Sequence, residues 1–176
     1  VGSSQGGHTP AHFASADLVN ATDAQSFFTT TGGSIISLVK PNAAAAPTGN
    51  IYDDPCVYRD ANADCVLSFT TDGFGVVAYD GGYKSKYVAC ATGAYHLVRM
   101  RWNGSTLGLT LDSGSEQTVS CGTLAVLTGA ALVGVGYAGG FLAMDLLELM
   151  MSATAISDDD FASIKDYVNA RYGLSL

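Results

Sequence analysis

Apolar and polar positions alternate in short runs along most of this chain, and turn residues separate the runs. SIISLVKP (34–41) is apolar and β-branched and stops at Pro41, which is how a strand and its end read. CVLSFTT, FGVVAY and KYVACA follow as three strands, parted by Asp72-Gly73 and by Asp80-Gly81-Gly82. Asp-Gly marks a hairpin because glycine accepts the positive φ of a primed turn. YHLVRMRW and TLGLTL flank Asn103-Gly104 and predict a hairpin with a two-residue turn. In the first of these, His96, Val98, Met100 and Trp102 share one face while Tyr95, Leu97, Arg99 and Arg101 share the other; either face can serve the core. SEQTVSC, AALVGVGY and the apolar run FLAMDLLELMM complete a series of roughly a dozen short strands, the pattern of an all-β, antiparallel two-sheet sandwich. NAAAAPTG, enclosed by Pro41 and Pro47, is a loop despite its alanines.

One stretch departs from the strand rhythm. DDDFASIKDYVNARY (158–172) follows Ser157, a natural N-cap, and Asp160 completes a capping-box-like pair. Asp158, Asp159 and Asp160 complement the positive end of a helix dipole, Arg171 the negative end, and Gly173 suits the position after the last turn. Phe161, Ile164, Val168 and Tyr172 form an apolar stripe, with Tyr167 beside it. A C-terminal helix over 158–172 therefore docks on the sandwich. Residues 1–12, rich in Gly and Ser, read as a flexible arm, and 13–176 as a single domain including that helix.

Composition narrows the function. The chain has 176 residues, 48% hydrophobic and 14% charged, enough for one cored domain. A formal net charge of -8 with eight Lys and Arg in no run excludes nucleic acid as a partner, since phosphate binding needs clustered cations. Glycines break the apolar stretch 124–151, and Asp145 and Glu148 interrupt it, so two strands rather than a membrane span are expected. No signal peptide is visible, and a start at Val1 fits a processed product or a piece of a longer chain. Cys56 and Cys65 flank an acidic loop and could staple it; Cys90 and Cys121 fall near strand ends and could bridge neighbours. Buried thiols explain all four equally well.

At this point the chain resembles a known family. DLLELMMSATAISDDDFASIKDYVNARYGL is similar to the C-terminal end of laminin-G-like, concanavalin A-like lectin and glucanase domains of the bacterial and phage type. Asp145, Glu148, Ile156, Ser157, Asp158, Tyr167, Tyr172 and Gly173 stand at matching positions. YHLVRMRWNGSTLGLTLDSG resembles the preceding hairpin through His96, Val98, Asp112 and Gly114, with Tyr95 where the family usually has Trp. The resemblance runs from Tyr95 to Leu174 and implies a jelly roll. It implies no single function, because this fold hosts lectins, adhesins, hydrolases and viral structural modules.

Several constellations bear on chemistry. Glucanases of this fold use E-x-D-x-x-E, with carboxylates about 5–5.5 Å apart in retaining enzymes. Here the motif reads Ala143, Asp145, Glu148, so the nucleophile position is Ala, and the odd spacing places Asp145 and Glu148 on opposite faces of a regular strand. Glu148 is expected to bond a neighbouring loop or backbone. No G-x-S-x-G supports a Ser-His-Asp triad; His96 is structural, and His8 and His12 lie in the arm. Asp53, Asp54, Asp60 and Asp64, with Asn62, form an acidic loop that could hold calcium, which favours oxygen ligands; solvated turn aspartates are the simpler reading. Tyr79, Asp80, Tyr83 and Tyr87 fall on YDGGYKSKY, where aromatic faces beside a carboxylate suit a sugar, although packing explains the same residues. Asn20 and Asn103 head formal glycosylation sequons.

The expectation is therefore a non-catalytic structural or interaction module, foremost a phage virion protein (capsid decoration or tail-associated), with a carbohydrate-binding adhesin or lectin domain as the alternative and a glycoside hydrolase as a distant one. Its partners would be other virion or surface proteins, or a glycan, with room for homo-oligomers. It would work at a virion or extracellular surface, without nucleic acid, membrane insertion or any required cofactor beyond calcium.

Overall fold

The computed structural model describes residues 7–13, 19–21, 32–47, 54–59, 65–124, 131–134 and 140–176. In chain order the strands are β1 (Ala11–Phe13), β2 (Val19–Ala21), β3 (Gly33–Pro41), β4 (Cys56–Arg59), β5 (Cys65–Thr70) and β6 (Gly73–Tyr79). They continue as β7 (Tyr83–Val88), β8 (His96–Trp102), β9 (Thr106–Leu111), β10 (Gln117–Ser120), β11 (Ala131–Val133) and β12 (Met144–Ser152), and α1 (Asp158–Tyr172) ends the order. Two six-stranded sheets result, ordered β1-β12-β3-β8-β9-β10 and β2-β11-β4-β5-β6-β7. Neighbouring strands are antiparallel. This is the jelly-roll sandwich with one docked C-terminal helix that the alternation predicts.

The main core lies between the sheets. Ile35, Val39, Val98, Met100, Trp102, Leu107 and Leu109 from the first sheet meet Tyr58, Leu67, Phe69, Phe74, Val76 and Ala78 from the second. The ambiguity in β8 is thereby settled: Val98, Met100 and Trp102 face this core, and Leu97 faces the helix. β3 reads as a near-continuous apolar run because both of its faces are buried. Ile36 and Leu38, on its other face, form a second cluster with Leu97, Phe161, Val168 and Tyr172. Each of those helix side chains contributes roughly 2 kcal/mol on burial, as an upper estimate; that burial, more than propensity, holds the helix.

α1 forms as its caps dictate. The Asp160 N–H donates to Ser157 Oγ at 3.1 Å, and Gly173 sits at φ 64° with its N–H on the Asn169 carbonyl. Ile164 is partly buried in the stripe, while Tyr167 is 46% exposed. At the β8–β9 hairpin the turn is closed by Asn103 N–H on the Thr106 carbonyl, so its central residues are Gly104 and Ser105. Asn103 flanks the turn, accepting the Ser105 and Thr106 N–H groups on Oδ1.

Two boundaries differ from the expectation. β7 starts at Tyr83 and stops at Val88, earlier than KYVACA suggests, which leaves Cys90 beyond it. β11 is Ala131–Val133, and residues 130 and 135–137 of AALVGVGY lie outside the described residues. The expected flexible arm is tied down along residues 8–13. Ala11, His12 and Phe13 pair with Leu146, Asp145 and Met144, Phe13 is buried, and the His8 ring meets Tyr172 edge-on at 5.1 Å. Residues 1–6, the run 26–30 and residues 48–53 lie outside the described residues. Among the described residues, no helix is long and apolar enough to cross a membrane.

Candidate functional site

The motif carboxylates come first. Asp145 lies opposite Lys40 and Glu148 opposite Leu38, with a register shift between Leu146 and Glu148. Lys40 and Leu38 are two residues apart, so the bulge brings Asp145 and Glu148 to the same face of the sheet, against the expectation from odd spacing. That face is the one α1 covers. Glu148 accepts the Tyr172 hydroxyl and lies 3.6 Å from Arg171 Nε, so its partner is the helix rather than a loop. Asp145, nearly buried, takes Lys40 Nζ at 2.6 Å, His12 Nδ1, and Asn42 Nδ2 at 3.2 Å. Burial alone would raise the Asp145 pKa. The hydrogen bonds from His12, Lys40 and Asn42 outweigh it and hold the carboxyl below its ordinary range. Both acids are consumed in holding β1 and α1 to the sheet.

A second polar cluster joins α1 to β8. Arg99, 1% exposed, donates to Thr110 Oγ1 at 2.9 Å and Asp158 Oδ1 at 2.7 Å, and its guanidinium sits 4.6 Å from the Phe161 ring centroid. Arg101 forms a two-pronged pair with Glu116. Beside them a polar groove of about 250 Å³ opens between the helix and the β9–β10 turn. Its charged groups already have partners: Arg99 holds Glu116 and Asp158, Asp112 holds His96, and Lys165 Nζ donates to Ser113 Oγ at 2.7 Å. The alternation of β8 places Arg99 and Arg101 on one face, but nothing in the sequence marks Glu116 and Asp158 as their partners.

The tyrosines of the β6–β7 hairpin are brought together in part. Tyr79 pairs with Tyr83 across the turn, their ring centroids 5.0 Å apart and tilted by 55°. Tyr83 is 44% exposed. Asp80 is fixed from outside the hairpin by the Gly122 N–H, which it accepts at 2.8 Å, and within the hairpin it lies 3.9 Å from Lys84 Nζ. At the tip, a Cβ on Gly81 or Gly82 would meet no atom of the described residues within 4 Å. Tyr87 stands further along β7 on the same side as Tyr83, and its hydroxyl donates to Asp54 Oδ2 at 3.2 Å. Burial first, then the Asp54 charge, raises the Tyr87 pKa. Its ring occupies the space where a Cβ on Gly75 would stand, so it lies against the β6 backbone. Gly75 was missed from the sequence, yet a glycine inside a strand run signals a close approach of this kind.

The acidic loop is seen only at Asp54, which is fully buried; Asp53, Asp60, Asn62 and Asp64 lie outside the described residues. Among the described residues no group of three or more His, Cys, Asp or Glu could hold a metal ion. Asp54 is a hydrogen-bond acceptor for Tyr87 there, not a solvated turn residue.

Neither cysteine staple has the geometry it needs. Cys56 lies opposite Ser68, three residues along β5 from Cys65, about 10 Å at the rise of a strand and beyond the reach of a disulfide. Cys90 and Cys121 are both free thiols. Cys121 sits near Asp80 and Lys84, whereas Cys90 follows the opposite end of β7, so the length of that strand separates them. Burial pushes the Cys90 thiol up to about 11. His96 is structural as expected, its Nδ1 2.8 Å from Asp112 Oδ2.

No family model matches this chain, and no curated protein does. Solved structures do. A GH54 α-L-arabinofuranosidase soaked with a cyclic sulfate inhibitor superposes with a TM-score of 0.71 at 13% identity, covering 96% of this chain and 42% of that one. Domain 4 of AbnA, a GH43 extracellular arabinanase from Geobacillus stearothermophilus in complex with arabinotriose, gives 0.64 at 10% identity over 90% of this chain and 82% of that one. Domains LG4-5 of the mouse laminin α1 chain give 0.59 at 12% identity, covering 86% and 45%. The chain spans about two fifths of the length of the first structures it matches. At these identities the likeness concerns the fold, a laminin-G-like β-sandwich.

Proposed function

We propose that this domain is a non-catalytic binding module that takes a glycan at the β6–β7 hairpin and is displayed at a virion or other extracellular surface. The observation that carries the reading is the Tyr79–Tyr83 pair beside an anchored Asp80. Two aromatic faces at a tip open to solvent, next to a carboxylate that accepts hydroxyl protons, are the chemistry that holds sugars. A sandwich domain of the same fold in complex with arabinotriose is consistent with it. The non-catalytic part rests on Asp145 and Glu148, which share a face but are bound to Lys40, His12 and Tyr172, with Ala at position 143. A glycan-array screen of the wild-type chain and Tyr83→Ala tests it: binding lost in the variant is expected, and an array with no positive glycan for the wild type defeats the reading.

The placement on a phage particle rests on the C-terminal cassette, from Asp145 to Gly173. Purified particles would then carry this chain at fixed stoichiometry through contacts with other virion proteins. A chain that never co-purifies with particles would leave the cell-surface lectin as the better placement.

A further inference from the structure

The outward side of β7 holds more than the hairpin tip. β7 is the last strand of its sheet, and strand alternation puts Tyr83, Ser85 and Tyr87 on one side and Lys84 and Lys86 on the other. Register adds Tyr79 opposite Tyr83 and Gly75 opposite Tyr87. In the middle of that sheet face, Cys56, Val66 and Val77 are fully buried, while Tyr83 on the edge strand is 44% exposed. Tyr87 is fixed at two points, its hydroxyl on Asp54 and its ring in the space Gly75 leaves. A half-buried ring so held has little freedom left to lose on binding.

Tyr83 and Tyr87 stand about 13 Å apart at the rise of an antiparallel strand, longer than one sugar ring and matched by a chain of about three. Ser85 between them leaves room and offers a hydroxyl. Asp80 lies 3.9 Å from Lys84 Nζ, Asp54 is buried and takes the Tyr87 hydroxyl, and alternation turns the lysines of β7 away from the row. Such a row offers none of the β7 lysines to a carboxylated or sulfated sugar. We propose that the outward side of β7 is a track for a linear, uncharged oligosaccharide of about three units, floored by the Tyr79–Tyr83 pair at one end and by Tyr87 at the other. This rests on the glycan reading of the hairpin and specifies its ligand.

Calorimetry on the wild-type chain, with neutral linear oligosaccharides of one to five units and a uronic-acid oligomer of matched length, separates the two claims. Affinity should rise steeply to the trisaccharide and then level, with the acidic oligomer about tenfold weaker or worse. Tyr87→Ala, folded by circular dichroism, should weaken the trisaccharide about tenfold. A monosaccharide binding as tightly as the trisaccharide, or an acidic oligomer binding as tightly as the neutral one, overturns the track while the hairpin reading stands. No binding by any sugar defeats both.

Discussion

Tyr172, in the last turn of α1, donates its hydroxyl to Glu148 on β12, so the acid that a glucanase of this fold would use serves here as the clasp of the C-terminal helix. Arg171 Nε, 3.1 Å from the same hydroxyl, completes the contact. Glu148→Gln should destabilise the fold by about 1.5–3 kcal/mol, the range for a hydrogen bond to a charged group, read as a lower urea midpoint at unchanged slope. Neither protein should release sugar from β-glucans. Hydrolysis by the wild type that disappears in Glu148→Gln would reverse the assignment.

His96 gives the stability a sign with pH. Its hydrogen bond to Asp112 outweighs burial and raises the pKa above the usual 6.5. A group raised on folding contributes stability that is complete below the unfolded pKa and lost as pH climbs through the higher folded value. Denaturation midpoints should therefore fall as pH rises past about 6.5. In Asp112→Asn that component should be absent. A midpoint curve identical in the two proteins would contradict the pairing.

The cysteines give a chemical check. Cys90 and Cys121 should both react with a thiol reagent in denaturant without prior reduction. In the native state Cys90 should react slowly at neutral pH, because a thiol near 11 carries little thiolate. Protection of either residue until a reductant is added would show the bridge.

Gly75 supports Tyr87 by what it lacks. Gly75→Ala should push the ring off β6 and cost about 1–3 kcal/mol as overpacking. It should also loosen the Asp54 contact, seen as a fall in the tyrosine's protection from nitration.

The helix was legible in full from 158–172, because caps, first-turn acids and an apolar stripe are local signals that tertiary packing did not override. The two-sheet alternation was legible for the same reason. The bulge at Leu147 was not: a bulge is a property of the pairing of β12 with β3, and no residue in DLLELMM announces it. Without it, Asp145 and Glu148 were assigned to opposite faces. Cys90 and Cys121 read equally as a bridge or as buried thiols because both fall near strand ends, and only the fold places them at opposite ends of β7. His8 and His12 looked idle in a polar leader, since their partners Tyr172 and Asp145 lie far along the chain. The hairpin tyrosines were legible as a group, but the turn toward Gly75 and Asp54 that divides Tyr87 from Tyr79 and Tyr83 arises from three strands meeting.

The most direct test of the account is a titration of the ¹⁵N-labelled chain with a glycan selected on the array, followed by backbone amide shifts. Binding at the rim of the second sheet predicts that the largest changes fall on Tyr79 to Tyr87, with Gly122 moving through its bond to Asp80. Shifts concentrated instead on the helix face around Tyr167 and Arg171, or on the groove by Arg99 and Lys165, would contradict it.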